Sequence, residues 1–296
     1  MNAMNIVLVL FLSQQAASVS APNDADVRKR SVAVELAARE DGEHPLGPVL
    51  RWARGAAERI ERMPCYSATL IRRERIDGKL GERQHLFMKI RHEPFSVYMR
   101  ILKPETIAGT ECIYVEGKNG GRMRAHPKNP PGALFGTDSL RPDGVIAMQG
   151  QRYPVTELDI LNLTRRIVEF AEKDVKLVEC EVAIKRGKKI DKRTCTCVEI
   201  THPVPRKDFR FHIARICVDD ERNIPVLYQA FDWPKEEGAE PELIEEYKYV
   251  DVKLGQRFTD ADFDVNNPKY DFPYKPYKNE QPPRGGKKGD CKRRTR

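Results

Sequence analysis

Residues 66–126 decide the fold of this chain, and they begin with YSATLIRRERI (Tyr66–Ile76), Asp77-Gly78 and, after a short gap, ERQHLFMKIR (Glu82–Arg91). Two strand-like runs around an Asp-Gly pair are a strong signal for a β-hairpin, because both turn residues must adopt a positive φ. Three further short runs continue the series between turn residues: Phe95–Leu102, Thr110–Val115 and Arg122–His126. The stretch therefore predicts an antiparallel meander and not a βαβ unit.

Segments with helical periodicity lie before and after this meander. Pro45–Met63 and the region from Thr156 to Lys173 place apolar residues three and four positions apart, on one side of a helix, and Arg28–Glu40 shows a weaker form of the pattern. Five strand-like runs follow the second helix: Lys176–Lys185, Arg193–Thr201, Phe209–Val218, Pro225–Trp233 and Ile244–Leu254. We predict an α+β fold, a curved antiparallel sheet or incomplete β-barrel of about ten strands packed against two or three helices.

Changes in composition indicate the domain boundaries. An apolar run, Ile6–Leu12, precedes small and polar residues up to Ala21, as in a signal peptide, and it is too short to span a bilayer. A buried N-terminal strand is the alternative. We expect a signal peptide over residues 1–21, a weakly helical segment over 22–44, a single half-barrel domain over 45–268 and a disordered basic tail over 269–296.

The positive charge of the chain is concentrated at its end. The formal net charge is +8, and residues 269–296 contain ten basic and three acidic side chains, so the rest of the chain is almost neutral. A tail that is also rich in Pro and Gly buries too little apolar surface to fold, which predicts disorder. Such a tail would bind an anionic membrane, a cell-wall polymer or nucleic acid, or would only keep the protein soluble.

The seven cysteines are an odd number, so at least one of them stays unpaired. In the hairpin predicted after the second helix, Cys180 falls nearly opposite Cys195 and Cys197, within reach of a cross-strand disulfide in an oxidising compartment. A metal site that adds His202 and His212 is an alternative, but two cysteines separated by one residue do not match the usual spacing of zinc ligands. Buried thiols without a partner are the third possibility.

Several predicted strands are apolar on both faces, and Phe209–Val218 is an example. Since a sheet with one wet face alternates apolar and polar residues, both faces of this sheet must be covered. Helices packed into the concave side of a curved sheet would leave room for an apolar ligand, whereas a filled core would leave none. The candidates for the lining of such a cavity are Leu70, Leu86, Met88, Val97, Met99, Ile101, Ile213 and Phe231.

A connection of about 30 residues between His126 and Thr156 is much longer than the usual four to six. It combines many Pro and Gly residues with short apolar runs. This composition is typical of a lid over a site and also of a packed surface crossover, and the sequence leaves both roles open.

The sequence lacks the common signatures of enzymes. It has no Gly-x-Ser-x-Gly elbow, no His-Glu-x-x-His pair and no glycine-rich phosphate loop. Asp260, Asp262 and Asp264 alternate as in a calcium loop, but the required Gly and terminal Glu are absent, which favours a solvated turn. We therefore expect no catalytic residue, no metal and no cofactor.

The order of several short motifs resembles a family of exported planctomycete proteins that is defined only as a domain of unknown function, number 1571. The motifs that carry the likeness lie between residues 45 and 270 and include Tyr66-Ser67-Ala68-Thr69-Leu70, Arg73-Glu74-Arg75, Gly109-Thr110-Glu111, Arg152-Tyr153-Pro154, Asn223-Ile224-Pro225, Glu246-Tyr247-Lys248-Tyr249 and Phe258-Thr259-Asp260. The layout is similar to the periplasmic lipoprotein carriers and receptors of the LolA/LolB type, whose incomplete barrel closed by helices holds acyl chains. No ligand-contacting residue of those carriers matches this sequence, so the likeness implies a fold and a class of ligand but no site.

Together these features predict an exported, monomeric, non-catalytic protein, periplasmic or secreted, that holds a lipid or the acyl chain of a lipoprotein in an apolar half-barrel cavity. A structural or scaffold protein of the cell envelope with a basic anchoring tail is the alternative, and a hydrolase is the third possibility. Further partners would be anionic membranes or cell-wall polymers bound by the tail, and nucleic acid is not expected.

Overall fold

The computed structural model of the chain describes residues 31–128, 136–177, 180–236 and 238–273. Its helices are α1 (Val32–Ala37), α2 (Gly47–Glu61), α3 (Val145–Met148) and α4 (Ile160–Asp174). Its strands are β1 (Cys65–Ile76), β2 (Lys79–Leu80), β3 (Gln84–His92), β4 (Phe95–Lys103), β5 (Glu111–Val115), β6 (Met123–His126), β7 (Asp138–Leu140), β8 (Glu181–Ile190), β9 (Arg193–Thr201), β10 (Ile213–Asp219), β11 (Pro225–Asp232) and β12 (Glu242–Leu254). The two main predicted helices are confirmed, and each predicted strand has a counterpart in the sheet. β8 is displaced by five residues from the predicted Lys176–Lys185, β10 begins at Ile213 and not at Phe209, and β2 and β7 are additional.

Within the described ranges, twelve strands form one antiparallel sheet in the order β7-β6-β5-β4-β3-β1-β12-β11-β10-β9-β8, with β2 beside β1. The sheet consists of two meanders, one before and one after α4, which are joined because β1 pairs with β12. β7 and β8 stand at the two ends of this order, so the sheet is open. Asp77 and Gly78 have φ values of 49° and 76° and form the first hairpin turn as predicted. The predicted fold class is confirmed.

α2 and α4 lie on one face of the sheet because each carries a stripe of apolar residues on one side. The buried residues of these stripes include Val49, Trp52, Ala56 and Ile60 of α2 and Leu163, Ile167 and Phe170 of α4. Asp159 precedes α4 as its N-cap, since its side chain accepts a hydrogen bond from the backbone of Asn162. In the part of the chain that the structure describes, no helix is long and apolar enough to cross a membrane.

A second, smaller apolar cluster covers the other face of the first meander. Phe258, Phe263 and Phe272, which follow β12, pack there with Tyr98 of β4. Tyr270 also stacks on Tyr98, with 4.0 Å between the ring centroids. The first meander is therefore apolar on both faces because helices cover one face and the segment after β12 covers the other.

The expected domain, residues 45–268, is too short at both ends. Before it, Val32 of α1 is buried in the main core with the two long helices. After it, Tyr270 and Phe272 pack on the sheet, so the tail cannot begin at residue 269 as expected. The average composition of a basic segment does not reveal this packing, because only two aromatic side chains are involved. Each of them nevertheless buries a large area. The expected signal peptide and residues 274–296 of the expected tail lie outside the described residues.

The long connection between β6 and α4 is described except for residues 129–135. It adds β7 to the edge of the sheet, forms α3 and then returns to the sheet, where Nε of Arg152 lies 3.0 Å from a carboxylate oxygen of Glu245. Val145 and Ile146 of α3 are 91% and 72% exposed. The end of the connection is thus a packed crossover, and the role of the whole segment as a lid stays a prediction.

Candidate functional site

The eight residues predicted to line a cavity fall into two groups. Six of them, from β1, β3 and β4, are buried in the main core: Leu70, Leu86, Met88, Val97, Met99 and Ile101. The other two, Ile213 and Phe231, are paired across β10 and β11 and are only partly buried. Their neighbours Ala214 and Ala230 belong to the core, so Ile213 and Phe231 lie on the opposite face of the sheet. The structure therefore does not bring the eight residues together.

The helix layer and the sheet separate slightly in the second meander. A cavity of about 10 Å³ lies there between α2, α4 and strands β9 to β11. Its lining consists of Leu46, Val49, Ile167, Phe170, Ala171, Asp174, Ile200, Phe211, Ala214, Ile216 and Tyr228. The volume suits about one water molecule, whereas ligand sites usually measure roughly 300 to 1,000 Å³. Among the described residues, only Asp174 and Tyr228 bring polar groups to the lining, and a volume of about 10 Å³ is too small for an acyl chain.

Asp174, at the end of α4, faces a buried histidine on the connection between β9 and β10. His202 is 1% exposed, and its Nδ1 lies 3.1 Å from the carbonyl oxygen of Phe211. Because a carbonyl oxygen only accepts, Nδ1 carries the proton and Nε2 is a bare acceptor. Nε2 lies 3.5 Å from Oδ2 of Asp174 and has no hydrogen-bond partner among the described residues. Two acceptors thus face each other beside the cavity.

Burial raises the pKa of the Asp174 carboxyl to about 6, although His44 and Arg210 favour its charged form. Burial also lowers the pKa of His202. In the unfolded chain an aspartate titrates at a pKa of about 4. The folded protein therefore loses stability as the pH rises from about 4 to about 6, because the buried carboxyl must become charged.

Replacing Asp174 by asparagine is expected to stabilise the protein by about 1 to 2 kcal/mol at pH 7.5. A pKa that rises from 3.8 to about 6 corresponds to roughly 3 kcal/mol, and the remaining contact of the carboxylate with water reduces this figure. Chemical denaturation of Asp174→Asn and the wild type between pH 4 and 7.5 tests this, and the difference should shrink as the pH falls below 6. A wild type as stable as the variant at pH 7.5 would contradict the burial of this charge.

The structure does not contain the predicted disulfide of Cys180. Cys197 instead pairs with Cys217 of β10, with 4.0 Å between their Cα atoms, while Cys180 and Cys195 are free thiols. The cause is the register of the strands: Cys197 lies opposite Lys185 on one side and Cys217 on the other, and Cys180 comes before β8 begins. Cys65 is also disulfide-bonded.

The two metal sites considered from the sequence are occupied by other contacts. The disulfide of Cys197 removes one thiol from the first. In the second, Asp260 and Asp262 pair with Arg91 and Lys89 of β3, each at 2.8 Å. Within residues 31–128, 136–177, 180–236 and 238–273, no group of His, Cys, Asp or Glu is arranged to hold a metal ion.

A buried polar network, which sequence patterns do not reveal, lies between the long connection and the sheet. The hydroxyl of Tyr247 donates a hydrogen bond to Glu74, and the backbone N–H of Arg152 donates one to the same carboxylate at 3.2 Å. Glu245 forms an ion pair with Arg152 beside them, and burial raises the pKa of Glu245. Three of these residues, Glu74, Arg152 and Tyr247, belong to the motifs of the family resemblance. Residues of those motifs therefore form one polar network, which holds the connection between β6 and α4 against the sheet.

An open cleft of about 800 Å³ lies on the surface beside the start of α4. Its walls carry many carboxylates, together with one histidine and one arginine: Glu61, Glu93, Glu116, Asp143, Glu157, Asp159, His92 and Arg165. The volume is in the usual range of ligand sites. Phe95, Tyr114, Pro142, Pro154 and Leu161 also line the cleft, so its walls are mixed, and an anion would be repelled by the carboxylates.

Several solved structures resemble this chain at low sequence identity. A DUF1329 family protein from Desulfovibrio piger is 11% identical, with a match over 75% of this chain and 98% of that protein and a TM-score of 0.35. MucB is 13% identical, with a match over 72% of this chain and 61% of MucB and a TM-score of 0.42. A LolA superfamily protein from Nitrosomonas europaea is 12% identical, with a match over 72% of this chain and 97% of that protein and a TM-score of 0.28.

Sequence comparisons give a more direct result. No curated protein matches the sequence. The family model described as "Protein of unknown function (DUF1571)" matches residues 63–272. This range contains every strand of the described sheet and ends at Phe272, which packs against its outer face. The chain therefore belongs to the DUF1571 family.

Proposed function

We propose that this protein is a non-catalytic binding protein that holds the apolar chain of a lipid or a lipoprotein between its helix layer and its sheet. The observation that carries the proposal is the apolar cavity between α2, α4 and strands β9 to β11, where Asp174 is the one charged residue of the lining within the described part of the chain. Apolar walls with a polar group at one end are typical of sites for amphiphilic ligands.

The cavity must widen to admit a chain, because it now measures only about 10 Å³. The segment best placed to move is the β9–β10 connection, residues 202–212, which contributes Phe211 to the lining. α4 is less free, since ion pairs of 2.7 Å join Arg165 to Glu61 and Arg54 to Glu172, both between α4 and α2. A buried methylene contributes about 0.8 kcal/mol, so a twelve-carbon chain gains roughly 10 kcal/mol against the cost of displacing Phe211.

Replacing Ala171 by leucine is expected to weaken the binding of a fluorescent fatty-acyl probe at least tenfold. Ala171 lines the cavity from α4, and a larger side chain there would occupy the space into which the chain must enter. The affinity of the wild type should rise with chain length. Probe titration measures both effects, and native mass spectrometry of the protein from its own host identifies any lipid that remains bound.

The matched control is Ala183→Leu, which adds the same side chain at an exposed position of β8. This variant should bind the probe as the wild type does. Affinity that does not depend on chain length, or equal loss in both variants, would show that the probe does not enter the cavity. Thermal denaturation of both variants separates lost binding from lost folding.

The proposal places the protein in the periplasm or outside the cell as a monomer. The leader-like sequence before Ala21 supports the export of the protein. The second candidate function is a structural protein of the cell envelope, and the well-filled core around the six buried residues of β1, β3 and β4 favours it. If the wild type binds no acyl probe of any length, the proposed lipid binding is wrong and the structural role is favoured. The third possibility, a hydrolase, gains no support from a specific contact among the described residues.

A further inference from the structure

Asp174 in the lining of the cavity and His202 beside it indicate the head group of the ligand. Building on the proposed function, we infer that the ligand is an amphiphile with a primary ammonium head group, which donates hydrogen bonds to Asp174 and His202 while its alkyl chain enters the cavity. The inference starts from the pair of acceptors, Nε2 of His202 and Oδ2 of Asp174, which lie 3.5 Å apart.

A donor is missing between these two atoms. The only N–H of the His202 ring, at Nδ1, donates a hydrogen bond to the carbonyl oxygen of Phe211. The other ring nitrogen, Nε2, is buried without a partner among the described residues. A buried acceptor left without a donor destabilises the folded protein. At a separation of 3.5 Å the two atoms are too far apart to share a hydrogen bond well, but one ligand nitrogen can lie at about 2.9 Å from both.

The chemistry of the pair selects among common head groups. An ammonium group has three N–H donors, enough for both acceptors, and its charge opposes that of the carboxylate. A hydroxyl group has one proton for two acceptors. A fatty-acid carboxylate has only acceptors at neutral pH and would place a second negative charge beside Asp174. The ammonium group is therefore the best match.

The groups around Asp174 do not already supply this cation. His44 is engaged at both ring nitrogens, since one lies 3.0 Å from the carbonyl oxygen of Leu177 and the other 3.2 Å from the backbone nitrogen of Leu46, and neither of these contacts is to Asp174. The other titratable neighbours of Asp174 are Lys173, which pairs with Glu169, the free thiol of Cys180, and Arg210, whose exposed guanidinium lies 4.3 Å from the centre of the Phe170 ring. Among the described residues, none of these three makes a hydrogen bond to the Asp174 carboxylate.

The test compares dodecylamine, dodecanol and sodium dodecanoate below their micelle concentrations by calorimetric titration at pH 7.5. Dodecylamine should bind the wild type at least tenfold more tightly than either of the others. Asp174→Asn should lower the affinity for dodecylamine at least tenfold and reduce the preference for dodecylamine over dodecanol, because only the ammonium group loses an opposite charge. Glu82→Gln removes an exposed carboxylate outside the cavity and should change the affinity for neither compound, which controls for general attraction of cations.

The outcomes separate this inference from the proposed function. Binding of dodecanoate or dodecanol as tight as that of dodecylamine would overturn the ammonium assignment and leave the proposed function intact. Failure of all three to bind would overturn both. If the variant at Asp174 does not fold, the wild type alone gives the answer: its affinity for dodecylamine should fall between pH 7 and pH 5 as the carboxylate takes up a proton, and binding that does not change would overturn the inference.

Discussion

Replacing Trp52 by alanine is expected to lower the free energy of unfolding by about 3 to 5 kcal/mol. The indole is 3% exposed, and its Nε1–H donates a hydrogen bond of 2.7 Å to the side-chain oxygen of Asn223. Asn223 lies in the turn between β10 and β11, where its φ is 53°. Loss of the indole therefore removes a large buried surface and also the link between α2 and the second meander.

Two milder variants separate these contributions in urea denaturation. Trp52→Phe keeps most of the apolar contact and loses the hydrogen bond, so it should cost about 1 to 2 kcal/mol. Asn223→Gly keeps a residue that readily adopts a positive φ and removes the acceptor, with a similar expected cost. The double variant should cost less than the sum of the two, because both changes break the same bond. A loss below about 1 kcal/mol for Trp52→Ala would contradict the anchoring of α2 through this residue.

The sequence was enough to predict the sheet and both long helices, because apolar residues recur along each element with the spacing typical of a strand or a helix. α2 and α4 each have 15 residues, which is more than four turns of an apolar stripe. The Asp77-Gly78 turn adds a local signal that depends only on backbone conformation. β2 and β7 have two and three residues, too few to show any period, and were therefore not predicted.

The facing of strand residues could not be predicted where a strand is apolar on both sides. Ile213 and Phe231 are as apolar as their inward neighbours, and only the position of the helices shows that they lie on the other face. The facing of Tyr98 could not be predicted either, because the residues that cover it, Phe258 and Phe272, are far from it in the sequence. Contacts between distant segments leave no local period in the sequence.

The polar end of the cavity was also beyond the sequence. Asp174 ends one helix and His202 follows a strand on the far side of a hairpin, so no spacing rule connects them. The sequence offered His202 only as a ligand in the alternative metal site. Its role depends on the carbonyl oxygen of Phe211, which fixes the tautomer, and on the 3.5 Å to Asp174. Both facts require the folded chain.

Removing the disulfide between Cys197 and Cys217 is expected to lower the free energy of unfolding by about 3 kcal/mol. The two cysteines are 20 positions apart and join β9 to β10 directly, so the bridge restricts the unfolded chain and adds to a ladder that is already paired. The measurement is guanidinium denaturation of the Cys197→Ala/Cys217→Ala double variant beside the wild type. No reductant is added, because Cys65 is also disulfide-bonded and would respond to it.

The control for this experiment is Cys180→Ala, which changes a free, partly buried thiol and should alter stability by less than about 1 kcal/mol. The comparison decides between two registers of the β8–β9 hairpin. If β8 begins at Glu181 opposite Thr201, Cys180 lies beyond the end of the ladder and cannot reach Cys197. Peptide mapping before reduction should then find Cys197 linked to Cys217. A peptide that links Cys180 to Cys197, together with a large loss of stability in Cys180→Ala, would restore the pairing expected from the sequence and shift β8 along β9.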